Sequence, residues 1–363
     1  MVKVGIIGCG GIANGKHLPA LKDMVALGKV ELVAFCDIIK ERAEKAAKEY
    51  GAEGAKVYTD YKELLKDESI VAVHVCTPNR SHSFISIDAM RAGKNVLCEK
   101  PMAKTAAEAE EMLKVSKETG KVLTIGYQNR QRKDSRFLKK CCENGELGEV
   151  YFAKAHALRR RAVPTWGVFM NEYEQGGGPL IDIGTHALDL TLWMMNNYKP
   201  KMVVGRSFKK LGCGTTEDFG NAFGNWDPKE YTVEDSAFGF IVMEDGAAIS
   251  LESSWALNTL DAGEAKTTLC GTKAGADMHD GVRINGVKHN NCYVEQTKFT
   301  EGGVDFFDGA ENENPSFLEA KNFYSAITDG TELVVKPEQA LVVSKILEAI
   351  YESSETGKPV FFD

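Results

Sequence analysis

The chain has 363 residues, of which 43% are hydrophobic and 26% charged, with a formal net charge of -8 and a pI near 5.6. This composition is that of an ordinary globular protein long enough for two domains, and its acidic balance argues against nucleic acid or an anionic membrane as a partner. No apolar run approaches the roughly 20 residues that a membrane span needs. Because the first strand pattern begins at once and nine scattered cysteines form no Cys-x-x-Cys pair, we expect a cytoplasmic protein without a signal peptide and with reduced core thiols.

The first dozen residues predict a strand, a tight turn and a helix. Gly8, Gly10 and Ala13 fit G-x-G-x-x-G/A, the pattern of dinucleotide-binding turns. In that pattern Gly8 allows the tight turn, Gly10 lets the backbone approach a pyrophosphate, and Ala13 is small enough for the helix to pack on the strand. The helix start, with Gly11 and Ile12, would offer its N–H groups to the phosphates.

A second predicted strand, 30–36, ends in Asp37. A carboxylate at that offset suits the ribose hydroxyls of NAD and would repel the 2′-phosphate of NADP. Arg42, one helical turn further, could still bind a phosphate, so NADP stays open as the less favoured cofactor. The structural alternative is a plain βαβ turn with a surface aspartate.

Residues 1–125 alternate strand and helix patterns and predict a doubly wound α/β domain with a parallel sheet. The strand segments are continuously apolar, as expected for a sheet covered on both faces. Such sheets bind ligands at the carboxyl ends of their strands. Strands are predicted near 2–7, 30–36, 56–58, 70–76, 95–98 and 121–125, and helices near 12–27, 39–50, 60–66, 81–92 and 105–119.

Polar residues follow two of these strands. The fourth strand runs into Thr77-Pro78-Asn79 and then His82, and the fifth runs into Glu99-Lys100-Pro101. Pro101 predicts an extended or cis peptide before it. Lys100 at the ligand-facing edge of the sheet could act on a bound substrate, and a solvated surface lysine is the alternative.

Residues 126–363 predict an α+β domain with a large, open, mostly antiparallel sheet. A hairpin is indicated by Tyr231–Met243 and Ala247–Trp255, which flank a Glu-Asp-Gly turn. We interpret 213–228 and 300–314 as loops. Further strands are predicted near 150–156, 201–207, 266–270 and 291–299, and helices near 132–143, 316–328 and 337–355, the last of which we expect to pack back on the first domain.

A second polar constellation follows the glycine run 176–178. If the chain is helical from about residue 180, Asp182 and His186 lie one turn apart on the same face, and Asp189 adds a third polar group. A histidine with a near-neutral pKa suits the proton of an alcohol being oxidised, and a carboxylate can orient it or bind a hydroxyl. The alternatives are a core histidine, a capping role for Asp182 and a metal site, although no cysteine or second histidine is near in sequence; we predict no metal.

Taken together, these residues resemble the glucose–fructose oxidoreductase / inositol dehydrogenase (Gfo/Idh/MocA) family over essentially the whole chain. The matching motifs are Gly8-x-Gly10-x-x-Ala13, Asp37, Thr77-Pro78-Asn79 with His82, Glu99-Lys100-Pro101 and Asp182-x-Gly184-x-His186-x-x-Asp189. The resemblance implies an N-terminal Rossmann domain and a C-terminal α/β domain. The open sheet of that second domain would carry substrate on one face and commonly forms oligomer interfaces on the other.

The resemblance also implies an activity, which is oxidation or reduction of a sugar or cyclitol hydroxyl with NAD(H) or NADP(H). Lys100 would contact the reacting hydroxyl and help lower its pKa, His186 would shuttle the proton, and Asp182 would bind substrate. The implied cofactor-binding residues are Gly8, Gly10, Gly11, Ile12, Asp37, Thr77, Asn79, His82, Glu99 and Lys100, with Asn79 and Glu99 on the nicotinamide side. We therefore expect an NAD-dependent dehydrogenase of a sugar, glycoside or cyclitol ring hydroxyl that forms a homodimer, homotetramer or larger homo-oligomer.

Other functions remain open. A glycoside 3-dehydrogenase could feed a deglycosylation pathway, and a glycosidase could use bound NAD transiently to eliminate a glycosidic bond. A non-catalytic NAD or sugar sensor would have no need of Lys100 and His186. Weaker substrate candidates are Gln128 and Arg130 after the sixth strand, Arg159 in a basic segment, and Trp166, which could stack on a sugar face.

Overall fold

The chain divides into two units, each made of two separate segments. The computed structural model describes residues 1–214, 219–297, 299 and 314–362. The first unit comprises Met1–Gln131 and Asn312–Leu341, and the second comprises Arg132–Glu311 and Val342–Asp363. The first unit therefore takes in a second segment, Asn312–Leu341, besides the part of the chain before the boundary predicted near 125.

The first unit is built on a six-stranded parallel sheet. Its strand order is β3-β2-β1-β4-β5-β6, the doubly wound order of a Rossmann fold. The central strands are buried on both faces, which explains their continuous apolar runs and confirms the predicted fold class. The strands are β1 (Val2–Ile7), β2 (Val30–Cys36), β3 (Lys56–Tyr58), β4 (Ala72–Val75), β5 (Asn95–Cys98) and β6 (Leu123–Ile125).

Helices alternate with these strands where the sequence predicts them. The first begins with a π-helical turn, Ala13–His17, and continues as α1 (Leu18–Ala26). A capping box between Thr105 and Glu108 starts the last of the series, and Gly120 ends it in the left-handed conformation. The others are α2 (Lys40–Tyr50), α3 (Tyr61–Leu65), α4 (His82–Arg91) and α5 (Ala106–Thr119), with short 3-10 turns at Asn79–Ser81 and Gln128–Gln131.

The second unit is built on a nine-stranded mixed sheet. Its order is β14-β13-β12-β11-β7-β10-β9-β8-β15, and β7 and β10 form its parallel pair while the other pairs are antiparallel. The strands are β7 (Val150–Leu158), β8 (Pro200–Phe208), β9 (Ser236–Met243), β10 (Ala248–Ser254), β11 (Gly263–Gly271), β12 (Gly275–Asp277), β13 (Val282–Lys288), β14 (Asn291–Thr297) and β15 (Val360–Phe361). Three helices of this unit precede the last two helices of the chain: α6 (Lys133–Glu143), α7 (Glu172–Gln175) and α8 (Thr185–Met195). Helix α8 follows a π-helical turn, Leu180–Gly184, and packs on β7 and β11.

Two differences from the predicted elements stand out in this sheet. The strand predicted from Tyr231 begins only at Ser236, and the side-chain carboxylates of Glu234 and Asp235 just before it are buried and accept backbone N–H groups of other segments. Strands β12, β13 and β15 were not predicted. Most of the predicted loop 300–314, together with 215–218 of the loop 213–228, lies outside the described residues, and 219–227 has no regular structure.

Two helices close the chain, α9 (Pro315–Thr328) and α10 (Pro337–Thr356). Helix α9 belongs to the first unit, where Phe317, Phe323 and Tyr324 lie in one core cluster with Leu18 and Leu21 of α1. The boundary between the two units falls inside α10. Within the described ranges, no helix is long and apolar enough to cross a membrane.

Candidate active site

The glycine fingerprint forms the turn between β1 and α1. Gly8 has a φ of +92°, and a Cβ at this position would lie 2.6 Å from the carbonyl oxygen of Cys76, so only glycine fits. Gly10 and Gly11 differ, because a Cβ on either would meet no atom within 4 Å in the described part of the chain. The turn therefore leaves open space in front of a helix N-terminus, where a phosphate can approach the backbone.

Asp37 lies at the end of β2 beside this turn and is buried. Its Oδ2 accepts a hydrogen bond from the backbone N–H of Cys9 at 2.9 Å, and its Oδ1 accepts one from Ile39 at 2.8 Å. Each carboxylate oxygen has a second lone pair, so Asp37 can still accept ribose hydroxyls. Asn14, which the motif does not include, braces the same turn by donating to the carbonyl oxygens of Cys9 and Gly10, both at 2.8 Å.

The turn after β4 holds Thr77, Asn79 and His82. The hydroxyl oxygen of Thr77 is buried and has no hydrogen-bond partner in the part of the chain that the structure describes, which fits a ligand atom at that position. Asn79 is half-buried in the short turn that follows. His82, a predicted cofactor contact, has a fully buried ring, with Nδ1 2.8 Å from the carbonyl oxygen of Pro101 and Nε2 2.9 Å from that of Thr77.

Lys100 and Glu99 follow β5. The Lys100–Pro101 peptide bond is cis, as the sequence allowed, and the Lys100 side chain is half-buried. The backbone N–H of Lys100 donates to Oε2 of Glu99 at 3.1 Å. Glu99 is buried, and through this hydrogen bond its carboxylate holds the backbone of Lys100 in place.

Glu99 also ends a buried chain of hydrogen bonds that the sequence did not predict. Its Oε1 lies 2.7 Å from Nε2 of His17, Nδ1 of His17 lies 2.8 Å from Nδ1 of His74, and Nε2 of His74 lies 2.8 Å from the hydroxyl of Tyr324. Burial lowers the pKa of His74 well below its usual value, and the nearby His17 lowers it further. Each ring nitrogen of the two histidines therefore has one hydrogen-bond partner in this chain. His74, a histidine inside the predicted apolar strand 70–76, was the sequence feature that could have indicated this buried chain of hydrogen bonds.

Asp182 and His186 lie where the π-helical turn runs into α8. Both are half-buried, whereas every other residue from 180 to 192 is buried, so the two side chains share the accessible side of this helix. Oδ2 of Asp182 accepts a hydrogen bond from Nε1 of Trp255 at 3.0 Å. Asp189, the predicted third polar group, is instead fully buried.

The start of this helical segment is held by Glu234, which sequence reasoning assigned to a strand. Its carboxylate accepts the backbone N–H of Gly178 at 2.8 Å and of Leu180 at 3.1 Å, and the hydroxyl of Tyr351 at 2.9 Å. Burial raises the pKa of the Glu234 carboxyl. A Cβ on Gly177 would overlap the Tyr351 hydroxyl, and one on Gly178 would overlap the Glu234 carbonyl. Gly177 and Gly178 thus serve close packing around Glu234, whereas Gly176, with a φ of +81°, supplies the left-handed backbone that ends α7.

The weaker substrate candidates separate into engaged and accessible side chains. Arg159 forms a bidentate ion pair with Glu264, with Nε 2.6 Å and Nη2 2.9 Å from its carboxylate oxygens. Arg130 is fully buried and donates to the carbonyl of Val334 at 2.8 Å and the side chain of Gln339 at 2.6 Å. Gln128 is half-buried and Trp166 is exposed.

Two family models match the chain. Residues 2–127 match the model described as an oxidoreductase family with an NAD-binding Rossmann fold. Residues 139–362 match the model described as the C-terminal alpha/beta domain of the oxidoreductase family. Together they cover both units found in the structure.

Known proteins resemble the chain over different lengths. D-glucoside 3-dehydrogenase of Escherichia coli (strain K12) is 35% identical over 359 residues, which is 99% of this chain and 97% of the relative. Inositol 2-dehydrogenase of Salmonella typhimurium (strain LT2) is 34% identical over 200 residues, which is 54% of this chain and 56% of the relative. A solved structure of levoglucosan dehydrogenase in complex with NADH has a TM-score of 0.82 at 20% identity, covering 100% of this chain and 99% of that one, and shows that the fold is shared.

Proposed function

The chain belongs to the Gfo/Idh/MocA oxidoreductase family, and from that premise we propose that it is an NAD-dependent dehydrogenase that oxidises the C3 hydroxyl of a D-glucoside. The observation that carries this proposal is the 35% identity to a D-glucoside 3-dehydrogenase over 99% of the chain, with Lys100, Asp182 and His186 all present. The reaction converts the glucoside and NAD into a 3-oxo-glucoside, NADH and a proton.

The residues of the first unit suit NAD. The open space at Gly10 and Gly11 leaves room for the pyrophosphate, and Asp37 would bind the ribose hydroxyls. The buried hydroxyl of Thr77 supports a ligand contact there. We propose NAD rather than NADP because the carboxylate of Asp37 would repel a 2′-phosphate.

The side chains are assigned to the chemistry as follows. When bound, NAD accepts the hydride from the carbon that bears the reacting hydroxyl. His186 takes the hydroxyl proton as general base. Lys100 donates a hydrogen bond to the same oxygen and stabilises its developing negative charge. Asp182, oriented by the indole N–H of Trp255, binds a neighbouring hydroxyl of the sugar.

Turnover of methyl β-D-glucoside with NAD tests the proposal. We expect sustained NADH formation and a 3-oxo product identified by mass and NMR, with weaker activity on NADP. Lys100→Ala and His186→Ala should each lower kcat by about 10²-fold to 10⁴-fold, whereas Lys114→Ala on the exposed face of α5 should not. Full turnover by either site variant would contradict the assigned roles. Aglycone release without net NADH would support the redox-elimination glycosidase, and preferred oxidation of inositol would support a cyclitol dehydrogenase.

We also propose that the protein is a cytoplasmic homo-oligomer. The nine cysteines are all free, which suits a reducing compartment. Val204 and Phe240 are cross-strand neighbours on β8 and β9, and both are more than 40% exposed. An apolar pair exposed on a broad sheet favours self-association through that face. The molar mass in solution, measured by light scattering, tests the oligomer.

A further inference from the structure

An exposed cluster of aromatic side chains lies in the second unit outside the residues assigned to catalysis. The cluster consists of Trp166, Phe169 and Phe223. The ring centroids of Trp166 and Phe223 are 4.7 Å apart and those of Trp166 and Phe169 are 5.7 Å apart, both edge to face. Trp166 is 51% exposed and Phe223 is 44% exposed. Contiguous exposed apolar surface of this kind marks a ligand or partner site.

Hydrogen bonds hold the two loops that carry the cluster in place. The side chain of Asn221 accepts the N–H of Val163 at 2.8 Å and donates to the Val163 carbonyl at 3.0 Å. The hydroxyl of Thr165 donates to the carbonyl of Phe223 at 2.6 Å. The aromatic surface is thus built in advance of any ligand, which reduces the entropy lost on binding.

The segment that carries Trp166 is linked to the substrate side of the proposed site through Trp255. The N–H of Ala162 donates to the carbonyl of Trp255 at 2.9 Å, and the indole of Trp255 donates to Asp182 at 3.0 Å. Trp166 follows Ala162 by four residues, so the chain between them spans at most about 14 Å. Trp255 therefore connects the segment that carries Trp166 to the carboxylate that is assigned to the sugar.

Three polar side chains in the segments that carry the cluster are engaged within the protein. Arg159 pairs with Glu264, Asn221 with the Val163 backbone, and Thr165 with the Phe223 carbonyl. A second sugar unit would need hydrogen-bond donors and acceptors as well as a stacking surface. The exposed faces of the aromatic rings suit contact with a flat apolar group.

We propose that Trp166, Phe169 and Phe223 form a binding site for the aglycone of the glycoside, with a preference for aromatic aglycones. This inference rests on the proposed function, since it names the class of glucoside that the same site accepts. The sugar ring binds near Asp182 and His186, and the group attached at its anomeric carbon packs against Trp166.

The test compares kcat/KM for phenyl β-D-glucoside and methyl β-D-glucoside, followed as NADH. The wild type should prefer the phenyl glucoside. Trp166→Ala should lower kcat/KM for the phenyl glucoside by about fivefold, while the value for the methyl glucoside stays within about twofold, as the worth of one aromatic contact predicts. Trp166→Phe should keep most of the preference. Phe361→Ala, which removes an aromatic side chain that is 66% exposed in the same unit, should change neither value.

Three results would overturn the inference. Equal losses on both glucosides would show that Trp166 acts on the sugar ring or on the fold. Unchanged kcat/KM values for both glucosides would show that the cluster is not a substrate site, and unchanged values with an altered molar mass would assign the cluster to an interface. If the wild type oxidises neither glucoside, the proposed function fails; Trp166-dependent binding of phenyl β-D-glucoside by calorimetry would then still support the site, and absence of that binding would remove it.

Discussion

Gly8 and Gly10 stand two residues apart in one turn, yet glycine is needed at them for different reasons. Alanine at Gly8 would combine a left-handed backbone, with a φ of +92°, with a Cβ 2.6 Å from a backbone oxygen. We expect Gly8→Ala to lower the free energy of unfolding by about 3 kcal/mol or more, because strain and overlap add. Denaturation in urea without NAD measures this loss.

Gly10→Ala is the matched control for that variant. Its Cβ would meet no described atom within 4 Å, so the free energy of unfolding should stay within about 0.5 kcal/mol of the wild type. The methyl group would nevertheless stand where the pyrophosphate approaches, and we expect the Kd for NAD to rise at least about tenfold, a loss of about 1.4 kcal/mol in binding free energy. Unaltered NAD affinity in Gly10→Ala would mean that the phosphates bind elsewhere.

For single residues, the sequence indicated which positions have a structural or functional role, but it did not indicate their hydrogen-bond partners. Gly8 lies in the predicted turn after β1, and Asp37 lies beside that turn at the end of β2. The partners of His82 and Glu99 could not be predicted, because a hydrogen bond between Glu99 and His17 joins residues 82 positions apart. Such pairings depend on how strands are ordered in the sheet, which local patterns do not encode.

The helical segment that carries Asp182 and His186 depends on one buried carboxylate. Glu234→Gln would leave one acceptor oxygen for three donors, so one donor would face the new amide N–H group. We expect the free energy of unfolding to fall by about 2 kcal/mol. We also expect kcat to fall through misplacement of His186, with the Kd for NAD unchanged.

The dependence on pH gives this prediction a second readout. Burial raises the folded-state pKa of Glu234 above its unfolded value, so the folded protein holds more protons than the unfolded chain between those two pKa values. The contribution of Glu234 to stability is therefore fully present below the unfolded pKa, about 4.3, and decreases as pH rises toward the folded pKa. The stability of the wild type relative to Glu234→Gln should fall over that window. A difference independent of pH would contradict a raised pKa.

Strand prediction succeeded for the buried strands of the first unit and missed three strands of the second. The buried strands β1, β2 and β5 match their predicted ranges. Strand β13 lies beside the edge strand β14, and only Val282 among its residues is buried. It is held by backbone hydrogen bonds to β12 and β14, and such pairing between segments does not show in a local sequence pattern.

At the scale of the whole molecule, the two units are interleaved along the chain. Periodicity identified α9 as a helix but not the sheet that it covers. Its side chains Phe317, Phe323 and Tyr324 complete the core of the first unit, and Tyr324 ends the hydrogen-bonded chain that begins at Glu99. A cofactor-binding unit that ends near residue 125 would therefore lack part of its core.

Phe323→Ala tests this interleaving. Phe323 is fully buried and its ring lies edge to face with His74, with centroids 5.9 Å apart. Its truncation should lower the stability of the first unit by about 3–5 kcal/mol, because the cavity forms in a packed core. In calorimetry, the transition that NAD shifts to higher temperature should be the one that Phe323→Ala lowers.

Phe361→Ala provides the control, since Phe361 is exposed on β15 of the second unit. It should leave the NAD-sensitive transition in place, because an exposed side chain contributes little to a core. If Phe323→Ala lowered only a transition that NAD does not shift, residues 312–341 would have to be assigned away from the cofactor-binding unit. If Phe323→Ala but not Phe361→Ala abolishes the NAD-sensitive transition, the cofactor-binding unit needs both of its chain segments. A fragment ending near residue 131 would then not bind NAD.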